Sequence, residues 1–432
     1  MNLLDVGYGV AAVATAPWWA RKARGGWAGR LGHVGDLAAP TPGRPRVLMH
    51  AVSVGEVGAI RALVPLLIGS GAEVIVSVGT DTGFERARAL FAPPDATGPG
   101  AEAAGAPVVQ YPLDFSRCVA RFLDVVRPDL VALVELEVWP NFVRACRGRG
   151  IPVAVINGRL SERSRRGYGR VGRWVAPMFR SLAMVAAQDE AYRGRFIELG
   201  VDPGRCVVTG TMKWDSVRAE AEVPGAAALA AALGIDPGRP LIVAGSTGPG
   251  EEVLLHGACP PGAQLLCAPR RPERFDEAAA MLPGCVRRSR RGGAAAEAPG
   301  RDRFLLDSIG ELRAAYALAD VVVLGRSFYN LYGSDPGEPA GLGKPIVAGP
   351  RMGDFATMAA DLERSGGLVR TDAAGVSRLL RDLVGDAARR EGLGRRAREC
   401  VIRNRGASAR TCALLAGLLG ETVPGTQGAG AA

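Results

Sequence analysis

Short apolar runs recur along the chain, each closing on glycine and polar residues, with helical periodicity between them. Runs at 46–50, 73–78, 130–134, 153–156 and 184–187 read as strands, and 207–208 closes the series. A continuous apolar run bounded by turn residues is the pattern of a parallel strand buried on both faces. The first run turns into a helix carrying Ile60, Leu63, Val64 and Leu67. Each run also delivers polar residues at its end: Ser53 and Glu56, Thr80 and Asp81, Glu135 and Glu137, Asn157 and Arg159, Gln188 and Asp189. That shared position predicts one parallel sheet with a polar edge at its carboxyl ends. An Ala-rich stretch, 218–233, then reads as a linker and first helix of a second domain. There the pattern repeats, with 241–244 before Ser246, 264–268 before Pro269 and Arg270, 303–306 before Asp307, and 321–324 before Arg326 and Ser327. Pro93 to Pro107 reads as a surface loop, 287–301 as a basic insert, and the last helices fall between 374 and 419.

The stretch 320–350 has the densest signal. After the strand at 321–324 comes a polar loop through Ser327 and Ser334, then Asp335-Pro336-Gly337-Glu338-Pro339. Proline fits the first turn of a helix and Asp335 fits its N-cap. The free N–H groups of such a helix suit a phosphate, and Glu338 suits ribose hydroxyls. An ordinary strand–loop–helix corner looks the same, so the stretch needs support from elsewhere in the chain.

Length and charge narrow the class. A chain of 432 residues is too long for one ordinary core, so two domains are expected, 31–216 and 217–420, with a frayed tail at 421–432. Lys and Arg number 53 against 43 Asp and Glu, an excess that favours acidic partners. Aromatics at 6% and the lack of a basic-aromatic ladder argue against nucleic acid. Eight cysteines stand singly, without a Cys/His cluster, which reads as reduced thiols and no metal site. No G-x-G-x-x-G follows the first strand, so a dehydrogenase is not expected. Residues 1–30 read as a membrane-associating segment, because an apolar stretch ending in Trp18 and Trp19 precedes Arg21, Lys22, Arg24 and Arg30. Asp5 and Pro17 interrupt it as a span, which leaves an interfacial helix on the cytoplasmic face of an anionic inner membrane. A buried first helix is the alternative. Removal of residues 1–20 is expected to leave a folded protein.

Several blocks together resemble one family. His50-Ala51-Val52-Ser53-Val54-Gly55-Glu56, Glu135-Leu136-Glu137-Val138-Trp139-Pro140-Asn141 and Asn157-Gly158-Arg159 fall in its order. So do Gly210-Thr211-Met212-Lys213-Trp214-Asp215, Pro269-Arg270, Asp307 with Gly310-Glu311, and the 320–350 stretch. They are similar to the motifs of the 3-deoxy-D-manno-octulosonic acid (Kdo) transferases of lipopolysaccharide assembly. The resemblance implies an α/β protein of two Rossmann-like domains facing across a cleft, the GT-B type, acting as an inverting glycosyltransferase. It implies CMP-Kdo as donor, a lipid A precursor as acceptor, and no metal or other cofactor. It makes Glu56 the general base, with Glu135 and Lys213 stabilising the transition state. Donor contacts fall on Ser246, Pro269, Arg270, Ile309, Gly310, Glu311, Ser327, Ser334, Asp335, Pro336, Gly337 and Glu338. Acceptor contacts fall on Ser53, Gly55 and Arg159.

The chain also departs from the family pattern. Gly248, Arg271 and Ser334 stand where the family has histidine, and Asp335 stands where it has asparagine. All four lie in the donor domain. A carboxylate near the expected phosphate weakens an anion site unless Arg271 or Arg326 compensates. Two further readings therefore stay open: a transferase using another nucleotide-sugar donor, and a non-catalytic, membrane-associated relative that binds lipid A.

Overall fold

The computed structural model describes residues 2–20, 25–35, 37–91, 105–170, 172–219, 222–290 and 302–422. Much of the surface loop at 93–107 and of the basic insert at 287–301 falls outside these residues, as do Arg21, Lys22, Arg24 and nearly all of the tail.

In the first unit, strands β1 (Arg46–Ala51), β2 (Glu73–Val78), β3 (Val108–Gln110), β4 (Leu130–Val134), β5 (Val153–Gly158), β6 (Met184–Ala187) and β7 (Cys206–Val208) form one sheet. Its order is β3-β2-β1-β4-β5-β6-β7, with every pairing parallel. Period-two alternation splits each strand between two apolar layers. Val47 and Met49 join Ile60, Leu63 and Leu67 on one face. Leu48 joins Phe122, Phe142 and Phe179 on the other. Each buried Leu or Phe contributes roughly 1.5–3 kcal/mol relative to exposure. The strand that sequence pattern missed here, β3, is a short edge with too few apolar residues to register.

The second unit repeats the plan. Its strands are β8 (Leu241–Thr247), β9 (Gln264–Pro269), β10 (Val286–Arg287), β11 (Arg303–Leu305), β12 (Val321–Leu324), β13 (Ile346–Ala348) and β14 (Leu368–Arg370). They pair in the order β10-β11-β9-β8-β12-β13-β14, again all parallel. Leaving aside its edge strands, each sheet turns back on itself between its first strand and a later one, β1 beside β4 and β8 beside β12. Such a switch point is where an open α/β sheet receives its ligand.

Two boundaries differ from expectation. The second unit ends at Asn404, and residues from 405 belong to the first. The final helix, Ala407–Thr422, packs Ala407, Leu415 and Leu419 into the first unit's core. Asp215 fixes its start by accepting from Gly406 N at 2.6 Å and Ser408 N at 2.5 Å. An apolar helix at the chain's end carries no label for which sheet it covers, so sequence order alone misassigned it. The N-terminal helix, Leu3–Ala20, likewise belongs to the first unit rather than standing apart. Among the described residues no helix is long and apolar enough to cross a membrane.

Candidate functional site

In the first unit the switch point gathers carboxylates. Ser53, in extended conformation, caps the helix Val54–Ala59 that leaves β1. Its Oγ donates to Glu56 Oε1 at 2.9 Å, and Val52 N donates to Glu56 Oε2 at 2.8 Å. This is a variant of the capping box, with the N3 glutamate reaching past the N-cap to the N–H of Val52 before it. The box holds the carboxyl in one orientation, and a Cβ on the exposed Gly55 would meet Ser53 Oγ at 3.8 Å. Burial pushes the Glu56 carboxyl up to about 7; the Val52 N–H opposes this, and the charges of Glu135 and Glu137 add to it. Burial also raises Glu137, again with help from Glu135.

Glu135 follows directly on β4 in the left-handed region, at φ 59°. A non-glycine residue there carries strain of order 1–3 kcal/mol, which neighbouring contacts must hold in place. Its N–H donates to Ile156 O at 2.9 Å, and its carbonyl accepts from Arg159 N at 3.4 Å. Asn157, also left-handed at φ 50°, accepts from Met212 N at 3.1 Å. That bond fixes the turn Met212–Ser216, which carries Lys213, and Ser216 Oγ donates to Gly58 O at 3.3 Å. Ser53, Gly55, Glu56, Glu135, Arg159 and the Lys213 turn are thus linked around one sheet edge.

His50 has a structural role. It is fully buried, stacked on Tyr111 with ring centroids 3.6 Å apart, and burial pushes it down to about 3, so it stays neutral. Glu137 accepts from Trp139 Nε1 at 2.9 Å. Asn141 is buried in a side-chain network that sequence reading did not foresee.

The second unit's switch point is a closely packed backbone. A Cβ on Gly245 would lie 1.9 Å from the Tyr316 hydroxyl, one on Gly325 would lie 2.5 Å from Ser246 O, and one on Gly349 would lie 2.3 Å from Ser327 O. Gly245 makes room for the Tyr316 side chain, while Gly325 and Gly349 let the ends of β12 and β13 approach the neighbouring backbone. Buried Glu251 then organises the loop after β12, accepting from Gly248 N, Arg326 N, Ser327 N and Phe328 N. Its neighbour Glu252 is fully buried against Arg274, with two 3.0 Å contacts, and accepts from Thr247 Oγ1 at 2.6 Å. Sequence reading assigned these two glutamates no role.

Other expected donor residues divide by what already holds them. Ser327 Oγ is spent on Leu324 O and Gly349 N, both within the fold. Ser334 Oγ donates to Gly325 O at 2.8 Å. Glu311 pairs with Arg288 at 2.8 Å and accepts from Ser308 Oγ at 2.5 Å. Ser246 adopts φ 58°, and Arg270 N donates to Thr247 O at 3.1 Å, which seats Arg270 beside the β8 end with its side chain exposed. Ile309 and Gly310 are exposed, as is Glu338. The helix expected here has only five residues, Gly337–Gly341, and its N-cap position falls on Pro336 rather than Asp335. Asp335 Oδ1 still reaches the helix start, accepting from Gly337 N at 2.8 Å. The free N–H groups anticipated for a phosphate are correspondingly reduced. Among the described residues no group of acidic, histidine or cysteine side chains could hold a metal ion.

The fold defines the architecture: two parallel-sheet α/β units of the GT-B type. Solved structures with the same architecture include the Anabaena HepE protein in complex with UDP, at a TM-score of 0.55 and 14% identity over 87% of this chain and 100% of that one. MurG of Acinetobacter baumannii aligns at a TM-score of 0.52 and 15% identity, over 87% and 99%. The chain belongs to the 3-deoxy-D-manno-octulosonic acid transferase family and is a Kdo glycosyltransferase by that membership. It is 33% identical to the transferase of Bordetella pertussis over 93% of this chain and 94% of that one. Identity to the Haemophilus influenzae transferase is 31% over 89% and 90%. The family's N-terminal profile, described as 3-Deoxy-D-manno-octulosonic-acid transferase (kdotransferase), matches residues 25–216.

Proposed function

We propose that this chain transfers Kdo from CMP-Kdo to a phosphorylated, acylated glucosamine disaccharide, the lipid A precursor, with inversion and without a metal. The observation that carries the reading is Glu56, a carboxyl held by Ser53 and Val52 at a switch point and raised to about 7. Near neutral pH such a group is ionised in a large fraction of molecules and still basic enough to accept a proton, the condition for efficient general-base catalysis. The acceptor hydroxyl gives its proton to Glu56, its oxygen bonds to the anomeric carbon of Kdo, and CMP departs with the bonding pair. Lys213 offsets negative charge developing at the reacting centre, and Glu135 stabilises positive charge on the sugar. Arg270 pairs with the departing phosphate, and Ile309 and Gly310 lie exposed in the loop after β11, where they suit the nucleoside.

A peripheral site on an anionic membrane surface fits the N-terminal helix. Val6, Val10 and Val13 are exposed on it, and they line a groove of about 830 Å³ with Leu31, Phe115 and Arg117. An apolar face beside basic residues drives interfacial binding.

The test is a donor screen with CMP- and UDP-sugars on the acylated disaccharide, with and without EDTA, read by mass spectrometry. Kdo transfer from the CMP donor alone, unaffected by EDTA, is the expected result. Transfer from a UDP-sugar, or loss of activity in EDTA, refutes the reading.

A further inference from the structure

The first turn of the N-terminal helix is wired into the Glu135–Asn141 motif. Asn2 and Asp5 hold each other reciprocally: Asn2 N donates to Asp5 Oδ2 at 2.9 Å and Asp5 N donates to Asn2 Oδ1 at 3.0 Å. Asp5 is 6% exposed and also accepts from Ser116 N at 2.8 Å, Ser116 Oγ at 2.5 Å and Asn141 Nδ2 at 3.1 Å. Asn141 Oδ1 accepts in turn from Asn2 Nδ2 at 2.8 Å, and Asn141 Nδ2 donates to Asp114 O at 2.6 Å. The Asp114 carboxylate closes the circuit. It accepts from Asn141 N at 3.0 Å and Phe142 N at 2.8 Å, capping the helix Pro140–Gly148, and from Tyr8 Oη at 3.0 Å.

Both Nδ2 donors of Asn141 are therefore spent, on Asp5 and Asp114 O, and its buried Oδ1 accepts from Asn2. Two residues upstream, Trp139 is 41% exposed and donates to Glu137, whose charge acts on Glu56. A simple anchor has no need of this wiring. Dense, buried and fully paired polar networks fix a geometry, and losing one partner leaves the others unsatisfied.

We infer that the N-terminal helix is a positioning element of the acceptor site, acting from Asp5 through Asn141 to set the start of the helix Pro140–Gly148 and with it Trp139 and Glu137. The inference rests on the reading that the Glu135–Asn141 segment serves the acceptor. It also bears on the sequence-based expectation that residues 1–20 are dispensable to the folded protein, because their removal takes Tyr8 from Asp114 and both Asn2 and Asp5 from Asn141.

The test uses the full chain and an acylated disaccharide acceptor dispersed in detergent, where no membrane is needed. Asp5→Asn places an amide donor against donors already in place, and Asn141→Ala removes the link. Each is expected to raise the acceptor KM about tenfold or more, since small misplacements cost that much. CMP affinity stays unchanged, and the double variant is no worse than the poorer single one, because both act through one connection. If Asp5→Asn fails to fold, Tyr8→Phe removes a single hydroxyl from the Asp114 carboxylate that caps the same helix, and a smaller rise in acceptor KM is expected. Wild-type acceptor KM in folded variants overturns the inference, as does an effect seen on vesicles but absent in detergent, which marks an anchor only. Glu56→Gln run alongside reports on the parent reading: if it remains active the mechanism fails, whatever the Asp5 and Asn141 variants do.

Discussion

Replacing Glu56 by Gln should make the protein more stable and nearly inactive at the same time. The carboxyl rises from an ordinary value near 4.5 to about 7 on burial. A raised acid pKa means that the folded state holds its proton more tightly than the unfolded chain does. The stability this group gives is full below the unfolded value and is lost as pH climbs through the folded one. At about 1.4 kcal/mol per pH unit, and discounted because the side chain is only partly buried, ionised Glu56 costs about 1–3 kcal/mol at pH 8. The amide of the Glu56→Gln variant cannot ionise. Its oxygen can still accept from Val52 N, and its nitrogen can donate to Ser53 Oγ, which rotates to receive it. Glu56→Gln should therefore match wild type near pH 4.5 and exceed it at pH 8, by several degrees in melting temperature for a unit of this size. Turnover should fall about 10²–10⁴-fold. Wild-type kcat should rise with pH along a limb centred near 7, and the variant should lack that limb. The assays are melting against pH and initial rates against pH. A variant no more stable than wild type at pH 8 refutes the burial argument, and one that keeps the limb removes Glu56 from the proton transfer.

Glu135→Gln removes a negative charge that helps raise Glu56, so the acid limb of kcat should move to lower pH by up to about one unit, as loss of a neighbouring like charge allows; an unmoved limb separates the two carboxylates. Arg270→Ala should abolish CMP binding measured by calorimetry and Arg270→Lys should restore part of it, because the planar guanidinium can bind phosphate through two donors and an ammonium cannot. Normal binding by the alanine variant would displace the donor site from β9. Asp335→Asn keeps an oxygen to accept from Gly337 N while removing a negative charge, so it should bind CMP at least as well as wild type; weaker binding would show that the carboxylate itself is needed. Gly248→His should lose about 1–3 kcal/mol to overpacking, since a Cβ there would lie 2.4 Å from Leu331 Cδ1. Adding Leu331→Ala should recover much of that loss in urea titration, and a single variant as stable as wild type refutes the contact.

That last pair shows what sequence reading reaches and where it stops. Strand runs such as 130–134 and 321–324 were legible because burial on both faces demands unbroken apolar residues, a purely local signal. Edge strands β3, β10 and β14 were not, being short and, in β10 and β14, ending in arginine. Glu56 was legible from its motif, but its raised pKa was not, since Glu135 and Glu137 come from another strand end. The loss of histidine at Gly248 read as a gap in the donor domain. In the fold the gap is filled: Leu331 occupies the space over Gly248, and Glu251 pins the same loop through three of its backbone N–H groups. Ser334, another position where the family has histidine, ties that loop to Gly325. The departures at 248 and 334 thus belong with Leu331 to one loop. Glu251 and Ser334 hold its backbone by hydrogen bonds, and Leu331 fills the space over Gly248. The donor edge has therefore exchanged groups that titrate near neutrality for groups that do not. His50 is the histidine of the base motif, and burial keeps it neutral. On the proposed mechanism the pH dependence of transfer falls to the first unit's carboxylates, so a limb in CMP binding beyond the one set by the nucleotide's own phosphate, whose second ionisation lies at about pH 6, would contradict this account of the loop.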